Sequence, residues 1–196
     1  MKAIKDRRSI RKYKDESVSR TDIEIILKAG MLAPSAKNRQ PWKYYVYSGN
    51  EKDKLLYCME NGLVRERDGD KLLPNSQNGL PDAFNTLRIM REAPILLIIE
   101  NTNGVSPYSE IDADNRVAEI CDSLSIGASV QNILLTATEL GYGTLWIANT
   151  CFAYNELVNY IDIKGQLAGA ISLGVPNEMP NPRPRKQFED IVVFRE

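Results

Sequence analysis

The sequence predicts a single-domain globular protein, over residues 1–196, that contains both α-helices and β-strands. The 196-residue chain is 43% hydrophobic and 26% charged, which is typical of a domain that buries a full core. A continuous apolar run at 94–100 has the length of a strand buried on both faces. The longest regular pattern, at 114–140, has helical spacing instead. We therefore expect one core that helices and strands share.

The first helix is predicted over 21–32, where apolar residues recur at helical spacing. Ser19 or Thr21 can cap it, and Glu24, three residues after Thr21, would complete a capping box. Pro34 ends the helix, because the residue before a proline is disfavoured in the helical conformation.

The next part of the chain is predicted to form a strand and two short helices around an irregular segment. Strand-forming aromatic residues occupy 42–47, and 51–60 has the apolar spacing of a helix. Turn signals are scattered through 61–82, so this segment is expected to be an irregular loop, and such a loop inside a domain is usually a lid. A short helix is expected at 83–92.

The helix at 114–140 has small residues in its middle and apolar residues on more than one face. Such a helix is either a buried core helix or part of a dimer interface, and the sequence leaves both readings open. Further elements are expected after it, namely strands at 140–149, 167–175 and 191–194 and a short helix at 155–160. The tail at 180–187 is rich in proline and therefore extended.

The composition excludes several classes of protein. A net charge of −1 argues against a nucleic-acid partner. The chain has no histidine, which excludes a Ser-His-Asp or Cys-His hydrolase and a His-ligated zinc site. Cys58, Cys121 and Cys151 are odd in number and widely spaced, which favours a reducing, cytoplasmic setting. The sequence shows neither a signal peptide nor a membrane span, so we expect a soluble protein without a membrane partner or a metal.

A basic cluster opens the chain, in which Arg7, Arg8 and Arg11 surround Ser9. Guanidinium groups in this arrangement suit a phosphate that accepts bidentate hydrogen bonds. A solvated run of charge is the alternative, and a nucleic-acid arm is a third that the overall acidity disfavours. The tail contributes a second basic cluster, at 183–186.

The polar loop at 33–42 is held between two prolines and follows the first helix. It carries Ser35, Asn38 and Gln40, whose hydroxyl and amide groups can bind the edge of a flat heterocycle. The alternative is a plain connection from helix to strand.

Four blocks of the chain together resemble the nitroreductase family of FMN-dependent oxidoreductases. They are RRSIRKY at 7–13, APSAKNRQPW at 33–42, LGYGTLWI at 140–147 and PRPRK at 182–186, in the order found in the family. The resemblance implies an α+β fold with a mostly antiparallel central sheet flanked by helices. It also implies an intertwined homodimer in which the long helix forms the interface and the C-terminal strand is exchanged.

The resemblance further implies two groups of FMN contacts. The phosphate and ribityl chain would be bound by Arg7, Arg8, Ser9, Arg185 and Lys186. The ring would be met by Arg11, Pro34, Ser35, Asn38, Gln40, Ala148 and Asn149. Pro34 and Ser35 would come from the other subunit, and the backbone around Ala148 would lie near the reactive nitrogen.

The expected function is therefore electron transfer from NADH or NADPH, through FMN, to a nitroaromatic, a quinone or a similar small acceptor by a ping-pong scheme. The absence of histidine is compatible with it, because hydride passes to and from the flavin itself. One alternative is another flavin reaction, such as reductive dehalogenation or flavin breakdown, with Glu66, Arg67 and Asp68 holding the substrate. A flavin-binding module without turnover is the other.

Overall fold

In the computed structural model, which describes residues 2–196, the four strands form one antiparallel sheet. They are β1 (Trp42–Ser48), β2 (Ile95–Asn101), β3 (Gly143–Ile147) and β4 (Gln166–Gly174). Their order across the sheet is β1-β2-β4-β3. The predicted apolar run forms β2, which is buried along its whole length because it lies between two strands and under helices on both faces.

Six α-helices cover the two faces of this sheet. They are α1 (Lys2–Asp6), α2 (Arg20–Met31), α3 (Gly49–Asp68), α4 (Leu80–Glu92), α5 (Ala113–Glu139) and α6 (Tyr154–Ile161). Alternate residues of β2 point to opposite faces, as strand geometry requires. Leu97 packs with α2 and α5, whereas Leu96 packs with α3, α4 and α6. The predicted α+β fold with a mostly antiparallel sheet is confirmed.

Helix α5 is the longest element and matches the prediction within one residue at each end. Asp112 caps its N-terminus by accepting a hydrogen bond of 2.8 Å from the backbone N–H of Asn115. Its C-terminal turn leads into Gly141, which has a φ of +85°. The helix packs closely on α2, since a Cβ added to Gly30 would lie 2.7 Å from Cγ1 of Ile133.

The cap of α2 differs in detail from the predicted capping box. Ser19 is the N-cap, and its hydroxyl accepts a hydrogen bond of 3.1 Å from the backbone N–H of Asp22. Thr21 lies inside the helix. Glu24 therefore does not complete a box; it accepts a hydrogen bond from Arg20 one turn earlier, at 2.9 Å.

The prediction that 61–82 is irregular is wrong for much of that segment. Helix α3 continues to Asp68, a 3-10 helix covers Pro74–Gly79, and α4 begins at Leu80. Gly62, a glycine within this segment, serves close packing between helices and not a turn. A Cβ at this position would lie 2.4 Å from the Cβ of Ala153. That the remaining segment, 69–79, covers a bound substrate stays a prediction.

The tail after β4 carries one short 3-10 helix, Phe188–Asp190, and no strand in this chain. The predicted strand at 191–194 is therefore absent from the described residues of the single chain. Its apolar side chains Ile191, Val193 and Phe194 are exposed, and no strand lies beside them to pair with their backbone. Among residues 2–196, no helix is long and apolar enough to cross a membrane.

Candidate functional site

The N-terminal segment after α1 is fixed to the edge of the sheet by backbone hydrogen bonds. The N–H of Ile10 donates to the carbonyl of Thr144 on β3, at 2.9 Å. Four residues later, the N–H of Lys14 donates to the carbonyl of Val175, just after β4, also at 2.9 Å. These bonds place the first basic cluster beside β3 and beside the start of the tail.

The two basic clusters meet in one cleft of about 310 Å³, which we call the basic cleft. It is lined by Arg7, Arg8, Ser9, Arg11, Pro180, Asn181, Pro182, Arg183 and Arg185. The structure thus brings together five of the predicted site residues. Lys186, which was among the predicted FMN contacts, is not part of the lining. Arg183, which was not among them, lines the cleft.

The guanidinium groups of the basic cleft form no ion pair with an acidic side chain within residues 2–196. Their side-chain hydrogen bonds go to backbone carbonyls instead, as from Arg8 to Lys5 at 2.6 Å and from Arg185 to Arg183 at 3.2 Å. Guanidinium groups stay charged at all relevant pH values. Five of them around one cleft repel one another unless an anion lies between them. The cleft is therefore suited to a phosphate.

A second cavity of about 180 Å³, which we call the strand-end pocket, adjoins the basic cleft. Arg11 lines both cavities, so one can continue into the other. Beside Arg11, the strand-end pocket is lined by Asp82, Asn85, Thr86, Ile89, Leu145, Trp146, Ile147, Ala148 and Asn149. The predicted positions Ala148 and Asn149 are therefore in place at the end of β3.

Sequence reasoning missed the wall of this pocket that α4 provides. Asp82, Asn85 and Thr86 lie at helical spacing on one side of α4. The amide of Asn149 donates hydrogen bonds to Asp82 at 2.9 Å and to Thr86 at 3.0 Å, and these bonds tie α4 to the end of β3. The signal was present as a polar face on an amphipathic helix, but such a face usually only meets solvent.

The polar loop has an unusual backbone. Lys37, Asn38 and Gln40 all have φ near +50°, in the left-handed region that non-glycine residues rarely adopt. Each such residue costs about 1–3 kcal/mol, so the surrounding structure must hold the loop in place. The Ser35 hydroxyl accepts a hydrogen bond of 3.0 Å from the backbone N–H of Gln40, and the Gln40 amide donates to Asn38 at 3.3 Å.

The structure does not bring this loop to the basic cleft of its own chain. Pro34, Ser35, Asn38 and Gln40 line neither the basic cleft nor the strand-end pocket. The loop lies against α5 instead, where the backbone N–H of Ala36 donates to the Ser125 hydroxyl at 3.2 Å. Such a position agrees with the expectation that the loop serves a partner subunit, which stays a prediction.

A larger cavity of about 370 Å³ lies beside this loop, between Arg39 and the first half of α5. Its charged groups are already paired. Arg39 donates to Asp122 at 2.7 Å, and Glu119 accepts hydrogen bonds from Arg116 and Gln166. Because its charges need no ligand, we assign the candidate site to the basic cleft and the strand-end pocket.

The carboxylate of Glu66 has a structural position, although it was a candidate for holding a substrate. It is fully buried and accepts hydrogen bonds from the N–H groups of Leu72 and Leu73 at 2.8 and 3.0 Å. Arg65 and Gln77 donate to it as well, both at 3.0 Å. Burial alone would raise the pKa of this carboxyl, but the hydrogen bonds outweigh it and lower the pKa below its usual value. Glu66 therefore organises segment 69–79.

The other two candidates on this segment are exposed. Arg67 and Asp68 pair with each other through hydrogen bonds of 2.7 and 2.8 Å. Because an exposed ion pair contributes little, contact of these two residues with a substrate stays a prediction.

Cys151, in the 3-10 helix Asn149–Ala153, is the reactive side chain that follows the strand-end pocket in sequence. Burial raises the pKa of its thiol, so it remains protonated near neutral pH. Tyr108 donates a hydrogen bond to the carbonyl of Cys151 at 2.8 Å, and burial raises the pKa of this phenol to about 12. Neither group is suited to act as a nucleophile or a base, and residues 2–196 contain no cluster of side chains able to hold a metal.

Comparison with known proteins identifies relatives of this chain. The family model described as "Nitroreductase family" matches residues 4–175. A relative from Archaeoglobus fulgidus, which carries the provisional name NADH dehydrogenase/NAD(P)H nitroreductase, is 33% identical over 147 residues. The aligned region is 75% of this chain and 66% of that relative, so the chain spans just under two thirds of its length.

Two solved structures share the fold over nearly the whole chain. The BluB-like flavoprotein of Clostridium difficile 630 has a TM-score of 0.75 at 24% identity and covers 100% of this chain and 98% of its own. The FMN-dependent nitroreductase NfnB of Mycobacterium smegmatis, solved with NADPH, has a TM-score of 0.74 at 17% identity, with coverages of 100% and 97%. The chain belongs to the nitroreductase family, as the match over residues 4–175 establishes.

Proposed function

We propose that this protein is an FMN-dependent oxidoreductase that takes electrons from NADH or NADPH and passes them to a small acceptor such as a nitroaromatic or a quinone. The observation that carries the proposal is the basic cleft, with five unpaired arginines, continued through Arg11 into the strand-end pocket. A phosphate-bearing flat cofactor needs an anion site next to a pocket for its ring.

The basic cleft would hold the FMN phosphate. Arg7, Arg8 and Ser9 approach it from the N-terminal segment, and Arg183 and Arg185 from the tail. Charge-assisted hydrogen bonds contribute about 1.5–3 kcal/mol each, so a few of them retain the cofactor without a covalent bond.

The strand-end pocket would hold one edge of the ring, between the backbone at Ala148 and the polar side of α4. FMN, when bound, supplies the two-electron chemistry, accepting a hydride from the nicotinamide and giving both electrons to the acceptor. Arg11, at the junction of the two cavities, would stabilise negative charge on the ring. Asn85 and Thr86 can donate hydrogen bonds to ring oxygens from α4.

The remaining wall would come from a second copy of the chain. The polar loop with Pro34, Ser35, Asn38 and Gln40 lies on α5, away from the basic cleft of its own chain. Exposed apolar residues Val117, Ile120 and Leu124 follow one side of α5 and support an interface there. We therefore propose a homodimer in which each polar loop meets the partner's flavin, with the exposed tail exchanged between the chains.

We propose a ping-pong order, in which the two substrates use the same pocket in turn. The nicotinamide would leave before the acceptor enters, and we assign no side chain of this chain as an acid or base catalyst. The name of the Mycobacterium smegmatis neighbour associates the fold with FMN and NADPH, which supports the choice of cofactor and reductant. A cytoplasmic location belongs to the same proposal, because the three cysteines are free thiols and these persist in a reducing compartment.

The test is the absorbance spectrum of the purified protein, followed by turnover. We expect flavin bands, either as purified or after reconstitution with FMN, and oxidation of NADPH or NADH when menadione or nitrofurazone is added. A protein that binds FMN without oxidising either nucleotide with any acceptor would be a binding module. A protein that remains colourless after incubation with FMN would overturn the proposal.

For the alternative flavin reactions, Arg67 and Asp68 stay candidates for holding a substrate, whereas Glu66 does not. Glu66 was to hold the substrate, and it is buried in contacts with its own segment. The panel should include a halogenated phenol as an electron acceptor and, in a separate assay, free reduced flavin with oxygen as substrates, so that either reaction would be detected as product.

A further inference from the structure

We propose that Asp122 on α5 is a positioning residue that fixes, through Arg39, the conformation in which the polar loop meets the flavin ring. The inference rests on the proposed function, because that function assigns Ser35, Asn38 and Gln40 of the loop to the ring. Neither Asp122 nor Arg39 was among the predicted site residues, and neither is expected to touch the cofactor.

The contact between these two residues is specific. Nε and Nη2 of Arg39 lie 2.9 and 2.7 Å from the same carboxylate oxygen of Asp122. The other oxygen accepts a hydrogen bond of 3.2 Å from the amide of Asn103. Asp122 is 2% exposed, so its charge is taken out of water and depends on these partners.

The same helix holds the loop at a second point, three residues further on. The Ser125 hydroxyl accepts the backbone N–H of Ala36 at 3.2 Å and donates to the carbonyl of Cys121 at 2.7 Å. Ala36 and Arg39 flank Lys37 and Asn38 directly. Helix α5 therefore contacts the loop on both sides of Lys37 and Asn38, the two consecutive residues with a left-handed backbone.

These contacts with α5 explain how the loop keeps an unfavourable backbone conformation. Lys37, Asn38 and Gln40 have φ of +54°, +54° and +48°, and none of them is a glycine. Such conformations persist only where neighbouring contacts impose them, and they are common at ligand sites. The hydrogen bond from the N–H of Gln40 to Ser35 lies within the loop and cannot fix its orientation on the protein. Ala36, Arg39 and Pro41, whose carbonyl accepts the N–H of Thr102 at 2.9 Å, tie the loop to the rest of the protein, and Arg39 does so through its side chain.

Loss of the Asp122 charge should therefore change the ring contacts and leave the phosphate contacts intact. Without its carboxylate partner, Arg39 would turn toward water and the loop would relax to commoner backbone angles. The amides of Asn38 and Gln40 would then leave the flavin edge. The basic cleft shares no lining residue with this region, so phosphate binding should be unaffected.

The experiment measures the affinity of the dimeric protein for FMN and for riboflavin, which lacks the phosphate. For Asp122→Asn and for Arg39→Lys we expect both dissociation constants to rise by the same factor, roughly tenfold, as for loss of a charged hydrogen bond. The ratio of the two constants should stay at the wild-type value. The absorbance maximum and the reduction potential of bound FMN should shift as well, which a purely structural residue would not cause.

Two variants serve as controls. Arg185→Gln, in the basic cleft, should weaken FMN and leave riboflavin unchanged. Glu100→Gln removes another buried carboxylate, which accepts hydrogen bonds from Tyr45 and the backbone of Gly165, and it should lower stability without moving the flavin spectrum.

The outcomes are distinct. Unchanged affinity and spectrum in both Asp122→Asn and Arg39→Lys would overturn the inference, and so would a loss confined to FMN. If Asp122→Asn fails to fold, Arg39→Lys decides alone, because that side chain is partly exposed and keeps its charge. A wild-type protein that binds neither flavin would instead overturn the proposed function, before any variant is compared.

Discussion

Glu178 accepts a hydrogen bond from the backbone N–H of Arg11, which lies 167 residues earlier in the chain. The bond joins the segment that carries the first basic cluster to the tail that carries the second. A carboxylate next to a cleft for anions is unfavourable on electrostatic grounds alone. We infer that Glu178 contributes through its hydrogen bond and not through its charge, because this bond fixes the position at which the tail turns toward the N-terminal arginines.

Two variants of Glu178 distinguish the effect of its hydrogen bond on FMN binding from the effect of its negative charge. Glu178→Gln keeps an acceptor for the Arg11 N–H and removes the negative charge, so FMN should bind as tightly as in the wild type or more tightly. Glu178→Ala removes both, and we expect FMN affinity to fall by roughly fivefold to tenfold as the tail loses its anchor. Fluorescence titration with FMN measures both constants. Tighter binding in both variants would mean that the charge, and not the anchor, controls the cleft.

Much of the fold follows from periodicity in the sequence, and the reasons are visible in particular elements. Strand β2 is apolar from Ile95 to Ile99 because both of its faces are buried, and α5 maintains helical spacing because it packs on α2 and the sheet. Such patterns depend only on neighbours along one element. The basic cleft was also predictable, since two compact groups of arginines are conspicuous in a chain with a net charge of −1.

The parts that were missed depend on contacts between distant residues. Gly62 has the same local signature as a turn glycine, and only its distance to Ala153 shows that it is a packing residue. The polar side of α4 resembles any solvated helix face until Asn149 is found beside Asp82. The left-handed backbone at Lys37 is also invisible in the sequence, because it is imposed by α5 and not by local preference.

Gly62→Ala should destabilise the protein, contrary to the usual effect of this change in a helix. Replacing glycine by alanine inside a helix normally stabilises it by about 1 kcal/mol. Here the new Cβ would lie 2.4 Å from the Cβ of Ala153 and 2.6 Å from its Cα, so backbone must move. We expect a net loss of about 1–3 kcal/mol in the free energy of unfolding, measured by urea denaturation. Asn61→Ala, at the exposed neighbouring position, should be neutral or slightly stabilising.

Glu66 should make stability depend on pH on the acid side. Burial alone would raise the pKa of its carboxyl. The four hydrogen bonds, from Leu72, Leu73, Arg65 and Gln77, lower the pKa by more than burial raises it, so the net shift in the folded state is downward. The stabilisation is therefore present above the unfolded value of about 4.3 and is lost as the pH falls through the lower folded value. Glu66→Gln should cost about 2 kcal/mol at pH 7, since the amide nitrogen would replace one carboxylate oxygen and face the two donors that this oxygen accepts.

The measurement for Glu66 is urea unfolding of wild type and variant at pH 7 and at pH 3. The difference between them should shrink at pH 3. Glu60 lies on the same helix as Glu66 and forms an exposed ion pair with Arg91 of α4. Glu60→Gln removes this pair and should change stability little at either pH. A difference for Glu66→Gln that is equal at both pH values would show that packing, and not ionisation, is what the carboxylate contributes.

The exposed side of α5 should hold two copies of the chain together. Val117, Ile120 and Leu124 are spaced by three and four residues, and Leu124 is 71% exposed in the single chain. A second copy that covers this side would bury them, and a charge at position 124 would then lie unpaired in the interface. Leu124→Glu should therefore give a monomer by light scattering at micromolar concentration, with an FMN dissociation constant raised by at least about tenfold, because each ring loses the partner's polar loop. Tyr57→Glu places the same charge on an exposed aromatic position of α3 and should leave both the dimer and FMN binding unchanged. A wild-type protein that is monomeric and binds FMN tightly would contradict the shared site, since the polar loop does not line the basic cleft of its own chain.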